Sequence, residues 1–444
     1  MSNVDFGRYK KLVKYFWDPE PKNDDTPQTS IWCLGREYKP IKSFEEETST
    51  LWTKEAEEET MTIQKGQEPY ITPRNSMNAS VNGGREGFPG VGAWNGNDAD
   101  GGWPKEFLDD FESRLWLTYR SNFPAIPKST DPKASASMSL SVRLRSQLDQ
   151  AGFTSDTGWG CMIRSGQSVL LNTLVILHLG RDWRRGSRQE DERRLLALFA
   201  DDPKAPFSIH RFVEHGALAC GKHPGEWFGP SATARALSEQ HSETGLRVYV
   251  NGDGADVYED IYRRIAMAQD GTFSATLILV GIRLGIDRVT PAYWDSLKAA
   301  LRLPQSMGIA GGRPSSSHYF VGVQGDSFFY MDPHQTRTAL PLYSNINEYT
   351  KEELDSCHTR RLRRLSIDEM DPSMLLAFLV KDEADWRHWR DSIGKVSGKP
   401  IVHVADTEPS VQGQGADRSS AVDDVEFLDD EDEGDGEVIE RPSS

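Results

Sequence analysis

The most apolar stretches of this sequence are Val169–Leu179 and Ala275–Ile282, and neither reaches the eighteen or more residues that span a bilayer. Both are read as core elements of a soluble, intracellular protein. The first belongs to a strongly apolar helical run over Met162–Leu179. The second, rich in branched residues through Leu284, reads as a buried strand. Around them the pattern alternates. Phe107, Phe111, Leu115 and Leu117 approximate one face of a helix beginning near Trp103. Pro230 and Ser231 open another helix through Gln240, and Ala255–Gln269 gives a third with Val257, Ile261, Ile265 and Met267 inward. His318–Val323 and Ser327–Met331 flank Gly325-Asp326, a hairpin signal. Asp371-Pro372 predicts the start of an apolar helix over Met374–Phe378, and a last helix runs through Trp386 and Trp389. Helices, then strands, then helices make an α+β plan.

The folded body is expected over residues 1–44, 103–127 and 147–397, forming one domain. Three segments stand apart from it. Residues 45–102 read as a flexible insertion, acid-rich at first and with eight glycines in Gly83–Gly102. Such a stretch has too little apolar surface to offset the entropy of ordering. Residues 128–146 form a Ser-rich second insertion. Residues 398–444 read as a disordered tail. Fourteen acids and two bases beyond residue 400 supply −12 of the formal −17, which leaves −5 for residues 1–400. A nearly neutral body argues against nucleic-acid binding, which needs a basic footprint. The first residues lack the apolar run and cleavage site of a secretory signal. Four cysteines in 444 residues are too few for a disulfide scaffold, so thiols are expected.

One thiol sits in a telling place. In Thr154–Gln167 (TSDTGWGCMIRSGQ), Gly158 and Gly160 permit tight turns and close backbone approach, and the helical pattern begins directly after Cys161. A thiol at a helix N-terminus feels the positive end of the aligned peptide dipoles, which lowers its pKa. Its thiolate would be a nucleophile, with free N–H groups of the turn facing a developing oxyanion. A buried cysteine in a glycine turn is an equal alternative on these residues alone.

Downstream, Tyr330–Gln335 (YMDPHQ) places Asp332 and His334 two apart, on one side of extended backbone. Pro333 has no N–H and ends the ladder between them. That spacing suits a base, His334, oriented by Asp332, although an isolated D-P-H is more often an ordinary turn. His318 reads as a strand-end or core histidine. Cys220 and His223, with His215 nearby, hint at zinc spacing but lack a second ligand pair, so no metal is expected. No phosphate-cradling loop occurs.

Taken together, these segments resemble the autophagins, autophagy-related cysteine proteases with a papain-like core. The likeness rests on TSDTGWGCMIRSGQ and MDPH, with Ile31–Tyr38 (IWCLGREY), Ser113–Ile126 (SRLWLTYRSNFPAI) and Glu226–Pro230 (EWFGP). It continues through Gly308–Phe320 (GIAGGRPSSSHYF) and Cys357–Leu379. A filamentous-fungal member is expected. The resemblance implies helices on an antiparallel sheet, Cys161 as nucleophile, His334 as general base and Asp332 as its orienting acid. It also implies Tyr119 in the oxyanion hole, Trp227 covering the substrate groove, and a loop over Gly311, Gly312, Arg313, Pro314 and Ser315 that lifts from it. Some relatives carry a second cysteine four residues after the nucleophile; here that position is Ser165.

The implied reaction is thiol hydrolysis after a glycine, with no cofactor. The implied partner is a ubiquitin-like autophagy modifier, cut to expose its C-terminal glycine and also released from phosphatidylethanolamine, so membranes are met through the substrate. A monomer in the cytoplasm is expected, with the nucleus and the pre-autophagosomal structure as further locations. Competing readings are a protease for another ubiquitin-like modifier, an inactive modifier-binding protein, or a zinc module on Cys220 and His223.

Overall fold

The computed structural model describes residues 20–23, 29–40, 100–148, 151–239, 244–251, 254–313 and 316–408; residues 45–99 of the insertion expected over 45–102, Pro314, Ser315 and the tail from 409 lie outside them. A short hairpin comes first, β1 (Ile31–Cys33) and β2 (Arg36–Tyr38). Helix α1 (Lys105–Ser113) leads by an extended stretch to β3 (Arg120–Ile126). Two short helices follow, α2 (Pro132–Ala136) and α3 (Leu140–Leu148), then β4 (Phe153–Ser155). The long helix α4 (Cys161–Leu179) precedes α5 (Gln189–Ala197), α6 (Ile209–His215) and α7 (Pro230–Glu239). Next come β5 (Arg247–Val250), β6 (Asp256–Tyr258), α8 (Glu259–Ala266), β7 (Thr276–Arg283) and α9 (Trp294–Arg302). Then follow β8 (Ser306–Arg313), β9 (Ser316–Gln324), β10 (Ser327–Met331) and β11 (Arg337–Thr338). The remainder holds α10 (Lys351–Asp355), β12 (Arg364–Ser366), β13 (Ser373–Val380), α11 (Glu383–Ile393) and β14 (His403–Ala405).

Nine of these strands form one sheet in the order β12-β10-β9-β8-β13-β7-β5, with β1 added to β9 and β2 to β1. Neighbours are antiparallel except β5 and β7, which run parallel. Alternate residues serve two layers, as the pleat requires. Leu277, Leu279, Leu375, Ala377 and Leu379 join the core built around α4, whereas Ile278, Val280, Leu376, Phe378 and Val380 join one built around α9 and α11. The result is an α+β fold with helices on an almost wholly antiparallel sheet.

Several sequence expectations change. The helix through Phe107 and Phe111 ends at Ser113, which leaves Leu115 and Leu117 in extended chain. Met374–Phe378 is strand, not helix. β13 lies between β8 and β7 with every residue buried, and a run buried on both faces has no alternation to distinguish it from a helix. The helix expected from Ala255 begins at Glu259, because Asp256–Tyr258 pairs with His403–Ala405; Met267 lies past its end and is exposed. That same pairing keeps the chain ordered past residue 398, with Ile401 and Val402 buried. Within the Ser-rich stretch, Ala134, Met138 and Val142 are buried beneath α2 and α3. Among the described residues, no helix is long and apolar enough to cross a membrane.

A second, three-stranded sheet, β11-β3-β4, matters most for function. β3 pairs parallel with β11 and antiparallel with β4, so stretches near residues 120, 155 and 337 are stitched together.

Candidate active site

Cys161 is the first residue of α4 and is 2% exposed. The preceding glycines place it there by different means. Gly158 adopts φ +91°, which favours glycine, and reverses the chain. Gly160 has an ordinary φ but no room: a Cβ there would lie 2.5 Å from Asp156 Oδ2. The chain curls over Asp156, whose carbonyl accepts the N–H groups of Trp159 (3.1 Å) and Gly160 (2.9 Å). Helix α4 then starts with first-turn N–H groups that have no helical partners, at the positive end of its dipole.

His334 follows β10 and is held by Asp332 at two points. Asp332 Oδ1 accepts both His334 Nδ1–H, at 2.6 Å, and the His334 backbone N–H, at 3.1 Å. This bond assigns the proton to Nδ1 and turns Nε2 outward, where Ser316 Oγ lies 3.2 Å away. Arg363 is 3.5 Å from Asp332 Oδ2, and His318 Nε2 is 3.8 Å from Oδ1. The Trp116 indole donates to the Asp332 carbonyl at 2.9 Å. Tyr119 donates its backbone N–H to the Pro333 carbonyl at 2.8 Å and accepts from Arg337 N–H at 2.9 Å. Its ring meets the His334 imidazole edge-on, with centroids 5.3 Å apart.

Charge preferences in the cluster reinforce one another. Burial opposes a thiolate at Cys161, but the hydrogen bond and charge of His334, the Ser317 backbone and the Tyr119 hydroxyl outweigh it and lower the thiol's pKa. Burial likewise opposes an imidazolium at His334, yet hydrogen bonds to Asp332 and Cys161 push it up to about 10. Asp332 is held well below the usual carboxylate range; burial works against this, and the His334 hydrogen bond and the charge of His318 prevail. Burial and the neighbouring Cys161 charge push Tyr119 far upward, so its hydroxyl keeps its proton and can donate. A thiolate–imidazolium pair is the favoured state of Cys161 and His334.

The structure thus brings together Cys161, His334, Asp332 and Tyr119. The other expected residues fare differently. Trp227 is partly buried on the first core, three residues before α7. A Cβ on Gly166 of α4 would lie 2.4 Å from Thr233 Cγ2, so α7 starts beside the first turns of α4. Gly311 and Gly312 are not in a loop: they stand in β8, paired with His318 and Ser317. Gly312 is needed for that approach, since a Cβ would fall 1.9 Å from the Ser316 carbonyl. Arg313 ends β8, and Pro314 lies outside the described residues.

Several residues at the site were not expected there. Ser316 and His318 come from β9 and flank the Asp332–His334 pair; a serine-rich stretch leading into an apolar strand gave only a faint signal. Ser317 faces the other way and donates to Met162 Sδ and Ser165 Oγ, both at 3.1 Å, tying β9 to α4. Asp156 accepts from Arg120 N–H at 2.6 Å and from Arg164 Nε at 2.7 Å, and Arg164 reaches Asp201 at 2.8 Å. Among the described residues, His318, Asp332 and His334 form the one cluster with metal-type donor atoms within 4.8 Å of one another. One Asp332 oxygen is bonded to His334 Nδ1 at 2.6 Å, and Arg363 lies 3.5 Å from the other.

A thiol at the start of a buried helix, facing an Asp-paired histidine beyond the strands packed on that helix, defines a papain-like cysteine protease. Residues 104–392 match the Peptidase C54 catalytic domain, and the chain belongs to that family. It is 59% identical over 445 residues to the probable cysteine protease atg4 of Botryotinia fuckeliana, covering 98% of this chain and 99% of the relative. The probable cysteine protease atg4 of Sclerotinia sclerotiorum is 58% identical over 437 residues, with 98% and 99% covered. The cysteine protease ATG4 of Gibberella zeae is 50% identical over 459, with 97% and 98% covered. The chain is therefore a cysteine protease of fungal type, as the motif resemblance implied.

Proposed function

We propose that this enzyme cuts a ubiquitin-like autophagy modifier after its C-terminal glycine, and that it also hydrolyses the amide joining that glycine to phosphatidylethanolamine. Cys161 is the nucleophile. Its thiolate attacks the glycyl carbonyl, forming a C–S bond as the tetrahedral oxyanion develops. The Tyr119 hydroxyl and the first-turn N–H groups of α4 stabilise that oxyanion. His334 gives its Nε2 proton to the leaving amine, then takes one from water as the thioester is hydrolysed to the carboxylate and free thiol. Asp332 holds the ring in the required tautomer throughout. Trp227 and the Gly311–Gly312 stretch of β8 border the groove that excludes side chains larger than glycine's hydrogen. Both substrates share the acyl side of the scissile bond and differ in the leaving amine, so one site serves for both.

The observation that carries this reading is the doubly held imidazole: Asp332 takes both the ring and backbone N–H groups of His334, at 2.6 and 3.1 Å, leaving Nε2 for the thiol. The test incubates wild-type and Cys161→Ala protein with a modifier precursor and with phosphatidylethanolamine-linked modifier on vesicles. Mass spectrometry should find a new C-terminal glycine, and free modifier from the vesicles, with wild type alone. Product from the Cys161→Ala protein would sink the mechanism, and wild-type inactivity on both substrates would sink the function.

A further inference from the structure

Helices α2 and α3 lie against the catalytic turn. A Cβ on Gly158 would be 3.3 Å from Val142 Cγ2, and Arg145 donates to the Thr157 carbonyl at 3.2 Å. Thr157 in turn bonds Thr336, two residues beyond His334, at 2.8 Å. The inward residues Met138 and Val142 account for how this element is held. Its outer face is a different matter. Leu140 and Leu144, four apart on α3 and so on one face, are 69% and 55% exposed. Leu218, 83% exposed, stands on the turn Gly216–Cys220; just beyond that turn, His223 reaches Asp131 at 3.7 Å, and a Cβ on Gly225 would lie 3.1 Å from Met138.

The charge around these leucines is locally positive. Residues 128–148 hold Lys128, Lys133, Arg143 and Arg145 against one acid, Asp131, in a chain of net charge −17. Among the described residues none of the four bases has an ion-pair partner. Lys128, Arg143 and Arg145 donate to the backbone carbonyls of Ser146, of Ala136 and Met138, and of Thr157, which leaves their charge uncompensated. Several surface arginines elsewhere are neutralised: Arg185 by Glu112 and Asp355, Arg360 by Asp109 and Glu112, Arg390 by Glu259 and Asp406. Exposed leucines ringed by uncompensated positive charge match the chemistry of an anionic lipid surface, where apolar side chains enter the headgroup boundary and cations meet phosphates.

From this we infer that the outer face of α3, with Leu140 and Leu144, rests on anionic phospholipid while the adjacent active site works on a lipid-linked substrate. The inference rests on the proposed release from phosphatidylethanolamine. It supplies a way for a protein whose described residues hold no helix long and apolar enough to cross a membrane to approach a bond that lies at a bilayer surface.

Full-length protein is floated with phosphatidylcholine vesicles lacking or containing phosphatidylserine. In parallel, release from phosphatidylethanolamine-bearing vesicles is timed beside cleavage of soluble precursor. Binding should require phosphatidylserine and weaken as salt is raised. The Leu140→Glu/Leu144→Glu protein should lose about tenfold in vesicle binding and in lipid release, with soluble cleavage within about twofold of wild type. Lys133→Glu should shift binding in the same direction by a smaller factor. Wild-type indifference to phosphatidylserine, or full vesicle binding by the double variant, would overturn the proposal. So would loss of soluble cleavage in both variants, which would make the face a protein-docking surface. A wild-type protein that binds anionic vesicles but cuts neither substrate would remove the proposed function and leave the lipid surface standing.

Discussion

The two faces of the nine-stranded sheet are built on different physics. The face under α9 and α11 is held by aromatic area: Tyr262 stacks on Trp386 with centroids 3.8 Å apart, and Trp389 packs on both Trp386 and Phe378. The face under α4 buries directed polar contacts among its apolar ones. Asn172 fixes the Leu115 backbone at both N–H and carbonyl, Ser168 accepts from Leu117, and Arg164 joins Asp156 to Asp201. Area burial tolerates small displacements, whereas hydrogen bonds specify position. The polar face is the one that carries Cys161, at the first residue of α4.

The sharpest separation comes from Cys161→Ala, a change on the polar face that removes a single sulfur atom. Hydrolysis should fall by at least about 10³-fold, with the melting temperature unchanged. A residual rate within tenfold of wild type in a precursor-cleavage assay would show that the thiol is not the nucleophile. On the aromatic face Trp389→Ala should do the reverse. It should cost about 3–5 kcal/mol of unfolding free energy by denaturant titration, while the folded protein keeps its kcat. If kcat collapsed in folded protein, the two faces would be mechanically coupled and the contrast would fail.

Tyr119→Phe deletes one hydroxyl and keeps the ring that packs on His334. Because that hydroxyl is buried and stays protonated beside the thiolate, its loss should lower kcat about 10²-fold with little change in KM. An unchanged kcat would leave the oxyanion to the α4 backbone alone.

What could be read in the sequence follows the same division. Cys161, Asp332 and His334 were raised as candidates by local rules, a glycine turn before a helix and a carboxylate two residues from an imidazole at a strand end, but those rules left an ordinary turn open until the family motifs joined them. The long helix and the hairpin around Gly325-Asp326 were legible for similar reasons. Tyr119 was an ordinary aromatic until the motifs around it were matched to a family, since its role depends on β3 lying between β11 and β4. Ser316, Ser317 and His318 gained their places from pairing between β8 and β9, which no periodicity announces. β13 was misread because a strand covered on both faces looks uniformly apolar. Asp256–Tyr258 was misread because its partner is about 147 residues downstream, at His403–Ala405.

The smallest effect, and the finest test of the contrast, is the pH profile. By the proposed mechanism, hydrolysis needs Cys161 ionised and His334 protonated. The thiol's pKa is lowered and that of His334 is pushed from an ordinary 6.5 up to about 10, so kcat/KM should be flat through neutrality. It should decline as pH rises toward 10 and the imidazolium is lost, and decline again in acid as the thiolate is protonated. Stability carries the same sign: the contribution of His334 is complete below 6.5 and is lost as pH rises through about 10. Asp332→Asn removes the foremost contact holding that proton, so the alkaline limb should move toward neutrality as kcat falls. Trp389→Ala, on the aromatic face, should leave both limbs where they are. A wild-type profile peaking narrowly near 6.5, or an Asp332→Asn profile with its alkaline limb unmoved, would mean that the carboxylate merely orients the ring and does not stabilise its charge.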